Sequence, residues 1–452
     1  MTWLRIFLIF LGIAANVLII TYDLMFREQS LIRHLKLHKI FLPQKPSDPE
    51  DIEFEDENIT DHLHTEVFRV INELRRQFNA SGSRWKHSHH RKVVLQYTAV
   101  FDRKPWPWME NTDQFNHWMG VECPYYSCEL VYDRKDRPRS DALLFHSRDM
   151  PAISLMDYIL KEKKTHERWV FFSKENPMNN PPSKRYDFYF NWTMTYKQES
   201  DIFISYGYYF PVKRKKKIPE SVFLKNKKKL VVWTSSHCNL PRDDYVRELL
   251  KYIHVDVVGA CANAVFQEGL DCPQNNKACN EKLKTYKFHL AFENTNCLDY
   301  ITEKYWRALR DGVVPVVMGG SDYGSTVAIP GSFINVADFS TVKALADYLV
   351  YLDKNDTAYK EYFRWRQKYM TVHYSPWNCI LCARLHLDTT TKLYKTMDTF
   401  WGAAENCGST ATDKKLYKML HQRQRTSSSK KKEIVNSTGN SDYVTAKNLS
   451  VV

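Results

Sequence analysis

Residues 287–323, KFHLAFENTNCLDYITEKYWRALRDGVVPVVMGGSDY, hold one complete strand–helix–strand unit. Residues 287–292 form a short apolar run closed by the polar pair Glu293 and Asn294, the pattern of a buried strand. A polar loop comes next, over 295–299. A helix is expected over 301–310, because Ile301, Tyr305, Trp306 and Leu309 fall on one face, and Gly312 is placed to end it. Residues 313–318 are a second β-branched run, closed by Gly319 and Gly320. In such a unit the ligand site lies past the carboxyl ends of the parallel strands. The polar residues Glu293, Asn294, Tyr300, Thr302, Glu303 and Lys304 gather at that end.

Anion capture is the chemistry this suggests. Lys304 falls in the first helical turn, where free N–H groups and the positive dipole end already favour a phosphate. A cation there mildly opposes the helix, so an anionic ligand would explain it. Glu303 beside it can accept hydrogen bonds from sugar hydroxyls. The other reading is an ordinary charged pair at a helix start.

FEN, then DYITEK, then a helix and GVVPVVMG resembles the donor-binding motif of the α1,3/4-fucosyltransferases, glycosyltransferases of the GT10 type. The resemblance runs with gaps over residues 121–384 and does not visibly cover either end of the chain. It implies an α/β fold of the GT-B type with two Rossmann-like domains. It also implies GDP-fucose as donor, inversion at the anomeric carbon, and no catalytic metal or other cofactor. Asn294, Tyr300 and Glu303, with Glu293, would shape the GDP-fucose pocket.

At 452 residues the chain is long enough for two sizeable domains plus extensions. Its net charge of +13 fits an anionic ligand or a membrane surface without choosing between them. Residues 6–22, IFLIFLGIAANVLIITY, carry no charge, and Trp3 and Leu4 extend the run toward the length of a membrane span. An uncleaved signal anchor is expected, giving a single-pass type II protein with a lumenal catalytic part; the alternative is a cleaved signal peptide. Ten cysteines and sequons at Asn58, Asn79, Asn191, Asn355, Asn436 and Asn448 fit the secretory pathway and, with the anchor, the Golgi or endoplasmic reticulum. In that setting the basic runs at 213–217 and 225–229 read as linker, and no nucleic-acid partner is expected.

The expected layout is a tail and anchor over 1–22, a stem over 23–90 and an acceptor-side domain over 91–212. A basic linker over 213–229, a donor domain over 230–375, a cysteine-containing segment over 376–407 and a disordered tail over 408–452 complete it. His87, His89 and His90 read as a solvated part of the stem, since no further ligand stands at metal spacing.

Residues 168–177, RWVFFSKENP, place Ser173, Lys174 and Glu175 at the carboxyl end of a strand. Inverting transfer needs one base for the acceptor hydroxyl, and a carboxylate at a strand mouth suits it. The family has a catalytic carboxylate in an E-S-P motif after an aromatic strand. Glu175 matches it, with Asn176 in place of the serine. CPYYSC with ELVYDR, DALLFHSRD, and residues 188–207, FYFNWTMTYKQESDIFISYG, resemble the amino-terminal domain of the same family. His146, in the second of these, is either a strand-end residue or part of the acceptor site.

A strand over 230–233 enters SSHCNLPRDDYVRELLKYI, with Arg242 before a helix. A guanidinium there can bind a diphosphate bidentately and stabilise the charge on a departing nucleotide. The family has an arginine at this helix start, which Arg242 matches; Ser236 and Asn239 are weaker donor-pocket candidates. Asp243 and Asp244 read as capping charge rather than a metal motif. Cys379 and Cys382 form a C-x-x-C that alone could be redox-active or zinc-binding. The resemblance implies instead that Cys123 and Cys128 bond to Cys379 and Cys382, tying the two domains together. The acceptor it implies is an N-acetylglucosamine of a glycan or glycoprotein, joined through an α1,3 bond. The alternatives are a protein hydroxyl or core glycan as acceptor, and a silent glycan-binding relative.

Overall fold

Short runs of two to seven residues, mostly apolar, become the strands of two parallel sheets. The computed structural model describes residues 59–78 and 91–407, apart from Tyr125, 181–182, 213–222, 267–275 and 325–326. The expected anchor over 6–22, most of the stem, the sequons at Asn58, Asn79, Asn436 and Asn448, the basic run at 213–217 and the tail lie outside the described residues. No helix among the described residues is long and apolar enough to cross a membrane.

The first sheet holds β1 (Lys92–Gln96), β2 (Cys128–Val131), β3 (Ala142–His146), β4 (Arg168–Ser173), β5 (Trp192–Thr195) and β6 (Ile202–Phe203). Their order is β2-β1-β3-β4-β5-β6, and every pairing is parallel. The second sheet holds β7 (Lys229–Thr234), β8 (Val255–Val258), β9 (Tyr286–Phe292), β10 (Val314–Met318) and β11 (Ile334–Asn335), in the order β8-β7-β9-β10-β11 and again parallel. Parallel strands are covered on both faces, which is why β3, β4, β9 and β10 are buried throughout. Each sheet reverses its strand order once, at β1/β3 and at β7/β9. A crevice opens there at the carboxyl ends.

The helices beside the two sheets include α1 (Ile59–Gln77), α2 (Pro241–Leu249), α3 (Glu303–Arg310), α4 (Val342–Lys354) and α5 (Trp377–Leu387). The expected face of α3 is the buried one, with Ile301, Tyr305, Trp306 and Leu309 all in the core. The helix begins at Glu303 rather than Ile301, because Thr302 is extended and gives its N–H to Glu293. Gly312 ends it with a positive φ of 66°.

Two expectations about the ends of the domains are corrected. The stem contains α1, whose Leu63, Val67, Val70, Ile71 and Leu74 recur on one face and enter the core of the first sheet. The cysteine-containing segment belongs to that domain as well. Helix α5 is buried from Trp377 through Arg384, so it has to lie inside a core, and it packs in the same cluster as α1. Disulfides Cys123–Cys379 and Cys128–Cys382 hold it there. They staple the carboxy-terminal helix into the first domain and do not join the two sheets. The covalent tie between the domains is Cys297–Cys407, from the loop after β9 to the segment packed on Phe145 and Phe171.

Candidate active site

The β7/β9 crevice is built on Glu293, the residue after β9. Its carboxylate is fully buried and accepts hydrogen bonds from Thr302 N (2.8 Å), Thr302 Oγ1 (2.8 Å) and Lys304 Nζ (3.0 Å). Lys304 also donates to Thr302 Oγ1 (2.8 Å) and Glu303 Oε1 (3.2 Å), so its three donors are committed. Burial pushes the Glu293 carboxyl up, against the pull of Lys304. Burial also works against charge on Lys304, but Glu293 and Glu303 outweigh it and hold the ammonium above the usual lysine range. In this structure the lysine at the helix start is paired with the protein's own Glu293 and Glu303. The loop after β9 lies hard against Gly320, where a Cβ would stand 2.5 Å from the Asn296 carbonyl carbon. Asn294 Oδ1, in that loop, is buried without a hydrogen-bond partner.

Arg242 lies in the first turn of α2 and is 4% exposed. Its Nη1 donates to Phe292 O (2.8 Å), and its Nη2 to Ser235 Oγ and His237 O (2.9 Å each). It thus pins the end of β7 to the end of β9, and only Nε is left without a partner. Of the five guanidinium N–H groups, three meet protein oxygens in this structure. Its charge reaches the crevice as a field from behind the wall. Asp243 caps the helix by accepting from Asn239 N (2.6 Å) and Leu240 N (3.3 Å), as its position suggested. Ser236 and Asn239 are on the loop beyond β7, which Cys238–Cys261 anchors, and both are exposed.

The facing wall comes from the first sheet. Glu175 follows β4 and is half-buried, and Asn179 Nδ2 donates to its Oε2 at 3.4 Å. Ser173 Oγ donates to the Glu175 carbonyl (2.9 Å). Asn176 Oδ1 accepts from Met178 N (3.0 Å) and caps the short turn Pro177–Asn179. The E-N-P sequence therefore supplies the cap that a serine oxygen can supply in E-S-P. His146, at the end of β3, pairs with Asp149, which also accepts from Phe101 N (3.1 Å) and Asp102 N (3.3 Å). Phe101 and Trp108, 49% and 46% exposed, form an aromatic rim beside it.

The two walls share one cleft. Tyr300, from the second domain, packs between Tyr196 and Tyr206 of the first, with ring centroids 4.9 and 6.0 Å away. After burial, Glu293 and Glu175 are what raise its phenol. Gly207 meets Trp306 of α3 so closely that a Cβ would fall 2.1 Å from the indole Cδ2. Lys174 and Tyr206, which the sequence alone does not mark out for a role, stand in this seam. Lys174 Nζ lies 4.4 Å from the Tyr206 ring centroid, and the Tyr206 hydroxyl donates to the Lys174 carbonyl. The only signal for Lys174 in the sequence is its place beside Glu175.

The remaining candidates lie elsewhere. Asn191 Oδ1 accepts from Trp169 N (2.9 Å) and its Nδ2 donates to Lys392 O (2.8 Å), so the atom that would carry a glycan is engaged inside the fold. Asn355 caps the helix Asp356–Glu361 and its Nδ2 meets the exposed Tyr351 hydroxyl at 3.0 Å. Among the described residues, one group of three metal-type ligands comes together, Cys128, Cys382 and His386, and its two sulfurs are already joined in a disulfide.

Two family profiles match the chain: "Fucosyltransferase, N-terminal" over residues 89–207 and "Glycosyltransferase family 10 (fucosyltransferase) C-term" over 224–401. A 3-galactosyl-N-acetylglucosaminide 4-alpha-L-fucosyltransferase of Bos taurus is 37% identical over 259 residues, 56% of this chain and 68% of that one. A glycoprotein 3-alpha-L-fucosyltransferase A of Drosophila melanogaster is 34% identical over 309 residues, 67% of this chain and 58% of that one. A solved α1,3-fucosyltransferase with GDP-fucose superposes with a TM-score of 0.42 at 17% identity, covering 70% of this chain and 97% of that one. The chain belongs to glycosyltransferase family 10, the fucosyltransferases.

Proposed function

We propose that this chain transfers fucose from GDP-fucose, with inversion, to a hydroxyl of an N-acetylglucosamine in a glycan, forming an α1,3 bond. The observation that supports it is the shared cleft. Glu175 stands on one wall, and Glu293, Tyr300, Glu303 and Lys304 on the other, each at the carboxyl end of its own parallel sheet. That is the division of labour of a GT-B enzyme, acceptor on one domain and donor on the other. Glu175 removes the hydroxyl proton as the acceptor oxygen attacks fucose C1. The bond from C1 to the β-phosphate oxygen breaks, and GDP leaves with the electron pair. Lys304 and the field of buried Arg242 favour the charge that grows on the diphosphate. Positive charge from the protein then suffices, and the reading asks for no metal or other cofactor. The names of the two relatives, an N-acetylglucosaminide and a glycoprotein enzyme, favour a glycoprotein glycan as acceptor.

In the same reading residues 6–22 anchor the chain in the Golgi membrane as a single-pass type II protein with a lumenal catalytic part. The ten cysteines and the engaged disulfides suit an oxidising lumen. The test is incubation with GDP-fucose and EDTA on a glycan array that carries free and core N-acetylglucosamine acceptors. Fucose on one acceptor class supports the reading. A protein that neither modifies the array nor binds GDP rules it out.

A further inference from the structure

Three cations and three carboxylates stand in or behind the cleft walls, and their hydrogen-bond accounts differ. Both Nη groups of Arg242 are bonded to protein oxygens. All three donors of Lys304 are bonded within the Glu293–Thr302–Glu303 group. Lys174 is different. Its ammonium donates to no described residue and forms no ion pair with one; its neighbour is the face of the Tyr206 ring, 4.4 Å away. Ring packing of this kind stabilises an ammonium without consuming its N–H donors. The residue comes from the end of β4 in the first domain, next to Glu175, yet the carboxylate whose field it feels most is Glu303 of α3 in the second.

We propose that Lys174 binds the donor's diphosphate from the first-domain wall, as a cation whose donors are committed to no described residue. The inference deepens the proposed function and rests on it. An ammonium with three unspent donors suits phosphoryl oxygens as a point charge. The Lys174 head packs on Tyr206, in the seam with Tyr300 of the donor wall, and from there a contact with the diphosphate acts both on donor affinity and on departure of GDP.

The surroundings make this binding pH-dependent. The titratable groups that face the ammonium are Glu175 on its own strand end, Glu303 on α3, and Tyr206, with Tyr300 behind it. Burial lowers the Lys174 ammonium to about 8, against the pull of Glu303 and Glu175. Burial raises both phenols, so neither gains charge in that range. Lys174 is therefore charged at neutral pH and loses its charge as the pH rises through about 8. A bound diphosphate favours the charged form, so affinity falls above that pH.

The test uses the full chain, purified in detergent from a eukaryotic secretory host. GDP and guanosine are titrated calorimetrically at about pH 7.5 and about pH 9.5 on the wild type, Lys174→Gln and Lys174→Arg. Wild type should lose about tenfold in GDP affinity over that interval. Lys174→Gln should bind GDP about 10- to 100-fold more weakly at the lower pH and lose the slope. Lys174→Arg should keep the affinity and stay flat with pH, which also shows that the position tolerates substitution. Guanosine binding should be the same in all three. GDP affinity and slope unchanged in Lys174→Gln overturn the inference. So does a variant with normal GDP affinity but a lower kcat and a displaced pH–rate profile, since that assigns Lys174 to Glu175 instead. A wild type that binds guanosine and GDP at no pH removes the proposed function itself, a failure separable from the other two.

Discussion

Glu175 has the position of a base and few competing duties: one long hydrogen bond from Asn179 and a half-buried side chain at the cleft. Glu175→Gln keeps the shape and the Asn179 contact but cannot take a proton. Transfer should fall by about 10²–10⁴-fold, with GDP affinity within about twofold of wild type. Initial rates and calorimetry on one preparation check this, and an unaltered rate removes Glu175 as base. At this scale the sequence is informative about which residues meet and poor on what they do. Glu293, Tyr300, Glu303 and Lys304 stand in a single contiguous motif, so their clustering can be read directly. The spent donors of Arg242 cannot, because its partner Phe292 O lies 50 residues away on another strand. The same limit holds for Asn191, a valid sequon whose amide is consumed by Trp169 N and Lys392 O. Peptide mass spectrometry of secreted protein should find Asn191 without a glycan, and an occupied Asn191 would contradict the placement of the 388–394 segment against β5.

Among the elements, α3 is legible because its apolar residues all point into a neighbouring sheet, which makes the helical period visible. Helix α1 reads as stem because its partner is far away in sequence: its apolar face is covered largely by α5, some three hundred residues on. No local pattern reveals which distant surface a face will meet. This bears on how the protein can be truncated. A chain starting at residue 91 strips Leu63, Val67, Val70, Ile71 and Leu74 from the core, a loss on the order of 5–10 kcal/mol. Such a chain should secrete poorly and unfold early in urea, whereas one that begins ahead of Ile59 should behave like the full chain. Equal stability of the two would show that α1 contributes little. The contact between α3 and Gly207 gives a sharper case. Gly207→Ala forces Trp306 or the backbone to move, because no flexible chain end can yield there. The expected cost is about 1–3 kcal/mol, with transfer reduced more than guanosine binding, as the strain falls on the seam between the walls.

The whole molecule is held by charges that the core has to keep in one state, and this sets its response to acid. His289, in the middle of β9, is buried and shares a hydrogen bond with Thr234 Oγ1 at 2.9 Å. Burial, with Arg307 and Lys304 nearby, lowers its ring from 6.5 to about 3. The unfolded chain takes up this proton below about pH 6.5 and the native chain does not, so stability is complete above that pH and falls by about 1.4 kcal/mol per pH unit below it. Asp201 acts later and with the same sign. Burial opposes its charge, but Lys392 and Arg384 outweigh this and bring the carboxyl from 3.8 to about 2. Its contribution, on the order of 2 kcal/mol, is present above about pH 4 and lost as the pH falls toward about 2. The acid arm should therefore have two stages, the first from the donor-side sheet and the second from the junction of β5, β6 and α5. Urea midpoints measured by tryptophan fluorescence between about pH 7.5 and about pH 2 resolve them. His289→Gln, which keeps a neutral hydrogen-bonding side chain, should flatten the slope between about pH 6.5 and about pH 4 while leaving the lower stage in place. If the variant retains the full wild-type slope in that interval, another group titrates there and the buried neutral state of His289 is not what acid disturbs.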